Sequence, residues 1–211
     1  MENKLYQYLD QMVGLKKDWM KQIESQAKNE QIPIMEPLGL DFLKQIIRLK
    51  QPKKILEIGT AIGYSALQML DASPTSTIVT IERDVKRYKQ AMHNITSLDK
   101  QKHIEILLGD AFAMEQEAEK RGPYDLLFID AAKGQYQRFF ETFHAFVRSN
   151  GVIISDNVLF RGLVVKEESS NKRLQQIAAK IRDYNEWLVN HSGYSTTIIP
   201  VGDGVAVSVK K

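Results

Sequence analysis

The chain reads as a doubly wound α/β protein: a mostly parallel sheet of seven strands whose C-terminal pair is antiparallel. Three observations predict it. Short apolar runs, Ile55-Leu56-Glu57-Ile58 foremost, lack the alternation of half-exposed strands and suit strands buried on both faces. Stretches with three- and four-residue apolar spacing separate these runs, so strand and helix alternate five times before a final hairpin. The first run opens into Gly59-Thr60-Ala61-Ile62-Gly63, a glycine turn of the kind that leads from a central strand into a helix. At 211 residues and 43% apolar composition the chain is expected to form one domain over residues 1–211, with 1–50 a helical cover and 53–211 the α/β core.

Leu5, Leu9 and Met12, then Trp19, Met20, Ile23 and Ala27, recur at helical spacing and predict two amphipathic helices covering the sheet. The prolines in Ile32-Pro33-Ile34-Met35-Glu36-Pro37 bias their predecessors toward extended geometry, which makes this a linker placed to line a ligand. Leu38, Phe42, Leu43, Ile46, Ile47 and Leu49 form the inner face of a helix that Pro52 ends. After the glycine turn, Ala66, Leu67 and Leu70 suit a helix closed by Ser73-Pro74, and the strand Ile78–Ile81 runs into Glu82. A polar helix from Val85 to Leu98 precedes the strand Ile104–Leu108, which ends at Gly109-Asp110. Asp125–Ile129 is the fourth strand, ending at Asp130. Tyr136, Phe139, Phe140, Phe143, Phe146 and Val147 give a helix with an aromatic core face, terminated by Asn150-Gly151. Val152–Ser155 ends at Asp156-Asn157, a long helix spans Asn171 to His191, and strands Thr196–Val201 and Val205–Val209 flank the hairpin signal Gly202-Asp203-Gly204.

In open α/β sheets the ligand lies outside the C-terminal strand ends. A dinucleotide fingerprint wants glycines at the first, third and sixth positions of the turn, but here those positions hold Gly59, Ala61 and Tyr64. The aromatic ring argues against NAD or FAD and leaves a nucleoside ligand without a pyrophosphate, a description that S-adenosylmethionine fits. Glu82 follows Gly59 by 23 residues, near the roughly 20-residue offset at which an acid grips ribose hydroxyls in such units.

Successive strand ends carry Glu57, Glu82, Asp110, Asp130 and Asp156-Asn157. Asp130, Asp156 and Asn157 supply only oxygen, so a cation shared among them would be hard: magnesium, manganese or calcium. The chain has no cysteine, which excludes disulfides and thiolate metal sites, and the four histidines sit in polar contexts with no pairing at ligand spacing. Lys133, in Asp130-Ala131-Ala132-Lys133, is placed to reach the same cavity and to take a proton beside a cation.

With these residues assembled, the sequence resembles the cation-dependent class I O-methyltransferases of the catechol and caffeoyl-CoA group. The shared motifs are Leu56-Glu57-Ile58-Gly59-Thr60-Ala61-Ile62-Gly63-Tyr64-Ser65, the strand ending in Glu82, Gly109-Asp110-Ala111, Asp130-Ala131-Ala132-Lys133 and Asp156-Asn157-Val158-Leu159. They cover nearly the whole chain, from Pro33-Ile34-Met35-Glu36 to the C-terminal hairpin. The resemblance implies a Rossmann-like methyltransferase fold. It also implies that Met35, Gly59, Ser65, Glu82, Asp110 and Ala111 line an S-adenosylmethionine site, with Asp130 touching both cofactor and metal. Asp156 and Asn157 would complete the magnesium site, and Lys133 matches the family's catalytic lysine. Within the group, Asp156-Asn157-Val158-Leu159-Phe160-Arg161-Gly162 and Ile198-Ile199-Pro200-Val201-Gly202-Asp203-Gly204 are most similar to the small bacterial enzymes that methylate 5-hydroxyuridine at the tRNA wobble position. The alternative acceptor is a small catechol or a hydroxycinnamoyl thioester.

Charge bears on the partner. The formal net charge of +3 permits nucleic-acid contact without demanding it. Arg161, Lys166, Lys172 and Arg173 follow the last metal-ligand candidates closely, so a basic rim is expected at the mouth of the site, facing a tRNA anticodon loop. A homodimer is the expected assembly. No membrane span and no signal-peptide pattern are seen, so a cytoplasmic location is expected.

Overall fold

The computed structural model describes residues 2–165 and 171–211. Three helices lead: α1 (Glu2–Met12), α2 (Asp18–Asn29) and α3 (Pro37–Lys50). The alternating core follows as β1 (Lys54–Ile58), α4 (Tyr64–Ala72), β2 (Thr77–Glu82), α5 (Val85–Ser97), β3 (Ile104–Leu108), α6 (Glu115–Arg121), β4 (Tyr124–Ile129), α7 (Tyr136–Phe143) and β5 (Val147–Asp156). It ends in α8 (Lys172–Val189), β6 (Tyr194–Ile199) and β7 (Val205–Lys210). Among the described residues no helix is long and apolar enough to cross a membrane.

The seven strands form one sheet in the order β3-β2-β1-β4-β5-β7-β6. Strands β1 to β5 pair in parallel, while β7 runs antiparallel to both β5 and β6. The sequence predicts a reversed edge, but only β7 is reversed and it lies one place in from the edge. Folding the hairpin back inserts β7 beside β5 and leaves β6 outermost.

Side chains alternate between two cores because strand residues point to opposite faces in turn. Ile55, Ile78, Leu126, Phe128 and Ile154 pack with α2 to α5 on one face. Leu56, Ile58, Leu127, Ile129 and Ile153 pack with α6 to α8 on the other. The fully buried aliphatic residues each contribute about 1.5–3 kcal/mol of burial.

Three expectations change. The apolar stripe of α1 does not cover the sheet, for Leu5, Leu9 and Met12 are 58%, 39% and 60% exposed, and α2 and α3 do the covering instead. The aromatic helix stops at Phe143 rather than running to Asn150-Gly151, because Val147 is drawn into β5 opposite Tyr124. Asn150, at a φ of 60°, then takes up a register shift in the β4–β5 pairing. Helix α6 has no counterpart in the sequence reading, since in Glu115-Gln116-Glu117-Ala118-Glu119-Lys120-Arg121 only Ala118 is buried and no apolar period exists.

Candidate active site

The order of the strands reverses between β1 and β4, which opens a crevice at their C-terminal ends. Register then aligns the site. Ile58 pairs with Ile81 on one side and Ile129 on the other, and Ile129 pairs with Ser155. One residue further along each strand, a single row therefore carries Glu82, Gly59, Asp130 and Asp156. Spacing in the chain relates only Gly59 and Glu82; parallel pairing brings in Asp130 and Asp156.

Gly59 has a φ of 105°, and a Cβ there would collide with the Asp130 carbonyl oxygen. Only glycine lets β1 turn out of the sheet this close to β4. Ala61 adopts a φ of 47°, so its N–H reaches Glu82 Oε2 at 2.8 Å, while Glu82 Oε1 accepts the Asp84 N–H at 2.8 Å. The carboxylate is thus fixed by two backbone donors with lone pairs left over for a ligand. Below the turn, Glu57 is fully buried and accepts the Ser65 hydroxyl and the Thr80 hydroxyl, the latter at 2.5 Å. Burial pushes Glu57 up to about 7, against the pull of those two hydroxyls. Glu57 therefore supports the turn from beneath rather than facing the ligand.

A cleft of about 320 Å³ lies over Glu82, Gly59 and Asp130, whereas Asp156, 2% exposed, does not line it. All the predicted cofactor residues line it: Met35, Gly59, Ser65, Glu82, Asp110, Ala111 and Asp130. The structure adds Tyr64, Arg83 and Phe139 to its wall. Asp110 also closes a local turn by accepting the Phe112 N–H at 3.0 Å, and the Phe112 ring stacks on Phe139 with centroids 4.9 Å apart. Phe139 is the core residue its spacing predicts, 5% exposed, and it borders the cleft as well, which spacing does not tell.

At the other end of the cleft stand Asp130, Lys133 and Asn157. Asn157 takes a left-handed φ of 61°, and its Nδ2 donates to Asp156 Oδ2 at 2.5 Å. Its Oδ1 accepts from Lys133 Nζ, which a short turn over Lys133–Gln135 projects toward it. Burial pushes the Asp130 carboxyl upward, with Lys133 opposing, and burial together with Asp130 pushes Asp156 up to about 8. One buried and one partly exposed carboxylate, Asp156 and Asp130, and an amide oxygen, with neither sulfur nor imidazole beside them, fit a hard divalent cation, whose charge would offset the upward shifts. No cluster of three His, Cys, Asp or Glu side chains suited to a metal occurs among the described residues, so the triad depends on the Asn157 amide.

The loop after Asn157 is anchored by the C-terminal hairpin. Val158 N–H donates to the Gly204 carbonyl at 3.0 Å and Leu159 N–H to the Asp203 carbonyl at 2.9 Å. Arg161, Lys172 and Arg173 are exposed on this loop and at the start of α8; Lys166 lies outside the described residues. Two histidines depart from their expected polar contexts. His144 and His191 pack in an aromatic cluster with Phe140 and Tyr194, away from the cleft lining.

This geometry agrees with what the chain is similar to. A catechol O-methyltransferase of Niastella koreensis is 29% identical over all of both chains. A caffeoyl-CoA O-methyltransferase of Populus kitakamiensis is 29% identical over 79% of this chain and 73% of its own. A solved Staphylococcus aureus structure, provisionally named a caffeoyl-CoA O-methyltransferase, is 34% identical with a TM-score of 0.92, covering 98% of this chain and 99% of that one. A Bacillus cereus O-methyltransferase solved in complex with SAH is 26% identical with a TM-score of 0.85, covering 99% and 97%. The family model described as O-methyltransferase matches residues 11–211, and the chain belongs to that family.

Proposed function

We propose that this protein transfers a methyl group from S-adenosylmethionine to the hydroxyl of an acceptor that carries a second oxygen beside it, with a divalent cation in the site. The observation behind this reading is the row Glu82, Gly59, Asp130 and Asp156, with the Glu82 carboxylate at one end of the cleft and the Asp130 carboxylate and Asn157 amide, next to buried Asp156, at the other. Glu82 grips the ribose hydroxyls, and the Gly59 turn lets the backbone approach the cofactor. Asp130, Asp156 and Asn157 would hold the cation. When bound, the cation would lower the pKa of the acceptor hydroxyl and fix its angle of approach. Lys133 Nζ stands beside Asn157 Oδ1 and is positioned to receive the hydroxyl proton.

Glu82→Ala should weaken S-adenosylmethionine binding by about 1.5–3 kcal/mol, the range for hydrogen bonds to a charged group. The Ala61 and Asp84 N–H groups lose their acceptor as well, a cost expected to appear in thermal stability of the free protein. Calorimetric titration measures the loss of affinity, and an unchanged affinity would remove Glu82 from the ribose site.

For the acceptor, the names of the relatives favour a small catechol or a hydroxycinnamoyl thioester. A second reading, 5-hydroxyuridine at the tRNA wobble position, is favoured by a different observation: Arg161, Lys172 and Arg173, which follow Asn157 in the chain, are all exposed. The hydroxyl and the neighbouring C4 carbonyl of that base present the same oxygen pair as a catechol. Methylation of a free catechol is to be compared with that of 5-hydroxyuridine-containing tRNA at low and high salt. A tRNA substrate should bind with a log–log salt slope of about −0.7 per phosphate contact, and Arg161→Ala should flatten it. Catechol turnover without tRNA activity discards the second reading; the reverse discards the first.

A further inference from the structure

Two buried polar atoms near the oxygen cluster have no hydrogen-bond partner: the Tyr136 hydroxyl and Asn185 Oδ1. Leaving such groups unpaired is costly, so each one in a native structure calls for a physical reason. Tyr136 begins α7, is 1% exposed, and has Asp130 and Asp156 foremost among its charged neighbours, followed by Asp203. Its ring sits edge-on to Tyr184 of α8, with centroids 5.6 Å apart. The Tyr184 hydroxyl is itself engaged with Ser155 Oγ at 2.7 Å, one residue before Asp156. Asn185, next along α8, donates through Nδ2 to the Val158 carbonyl at 2.8 Å, one residue past Asn157. Each orphan is thus tied to a neighbour of the residues that would hold the cation, Tyr136 through the Tyr184 ring and Asn185 through the Val158 carbonyl, and one is a donor where the other is an acceptor.

We propose that Tyr136 is a positioning residue of the cation site. Its O–H donates to one internal water, and that water donates in turn to Asn185 Oδ1 and to a carboxylate of the Asp130–Asp156 pair. This gives the water three partners, the usual number for a buried one, and satisfies both orphans at once. The function is to fix which carboxylate lone pairs face the cation, as outer-shell donors do around metal ligands.

The proposal rests on the cation-dependent reading above, and its test separates the two. Manganese affinity is measured by electron paramagnetic resonance for the wild type and for Tyr136→Phe, which keeps the ring against Tyr184 and removes only the hydroxyl. S-Adenosylmethionine affinity and metal-free thermal stability are measured alongside. The variant should bind manganese about tenfold more weakly, bind the cofactor as the wild type does, and be no less stable. A purely packing role predicts no change in manganese affinity, and that result overturns the proposal. A variant that loses its fold also overturns it, because the hydroxyl would then have a structural task. If the wild type itself binds no manganese, the cation reading fails first and this inference falls with it.

Discussion

Lys133→Ala is expected to lower turnover about 10²–10⁴-fold, the usual contribution of a general base, while S-adenosylmethionine affinity stays near the wild-type value. The separation is expected because Lys133, just past β4, contacts the Asn157 end of the cleft, whereas Glu82, the carboxylate proposed to hold the ribose, lies two strands from β4 at the end of β2. Lys133→Arg tells base from simple charge, since a guanidinium keeps the positive charge and a donor for Asn157 Oδ1 yet does not give up its proton. Steady-state kinetics should show both variants impaired, with the alanine variant's rate climbing as pH rises and the acceptor ionises unaided. Full activity in Lys133→Arg would assign the lysine an electrostatic role; full activity in Lys133→Ala would leave it none.

The second large effect is expected at Asp156. Asp156→Asn preserves shape and removes one of the two carboxylate charges in the oxygen cluster, so divalent-cation affinity should fall about 100-fold, the upper end of what even outer-shell changes cost. Turnover supported by magnesium or manganese should fall with it. The metal-free fold should respond in the opposite direction. Burial raises the Asp156 pKa from 3.8 to about 8, so the native state holds a proton that the unfolded chain gives up. Wild-type stability is therefore penalised progressively as pH rises from 3.8 to about 8, and not at all below the unfolded value. Asn carries no such penalty. The variant should match the wild type at acid pH and exceed it at neutral pH in thermal melts run with chelator. Equal cation affinity in the two proteins, or a variant less stable at neutral pH, would contradict the assignment. The charge that costs stability in the empty site is the one that a cation would use.

Much of the α/β core was legible because its elements are governed by local signals. The apolar run Ile55–Ile58 excluded a half-exposed strand, and Pro37 and Pro52 bracketed α3 through the missing N–H and fixed φ of proline. Asn171 was legible as the boundary of α8, where its side chain accepts from the Arg173 and Leu174 N–H groups. The apolar spacing of α1 carried no comparable information about burial, because a periodic stripe states that a face is apolar and not what covers it. Val147 went astray for a related reason. Its helical spacing with Phe143 is real, but pairing to Tyr124, distant in sequence, outweighs local preference.

By itself, the sequence determined the kind of chemistry available. Gly59 with Tyr64 at the third-glycine position argued against a dinucleotide, the missing cysteine excluded thiolate ligation, and the acids at strand ends pointed to an oxygen site. Only the tertiary structure decided which of those acids act together. Parallel pairing at matched register set Glu82, Gly59, Asp130 and Asp156 in one row, and left Glu57, two residues before Gly59 and still within β1, buried against Ser65 and Thr80. The physical reason is that hydrogen bonding across strands brings together residues far apart in the chain, and which strands pair at which register is decided by the whole fold.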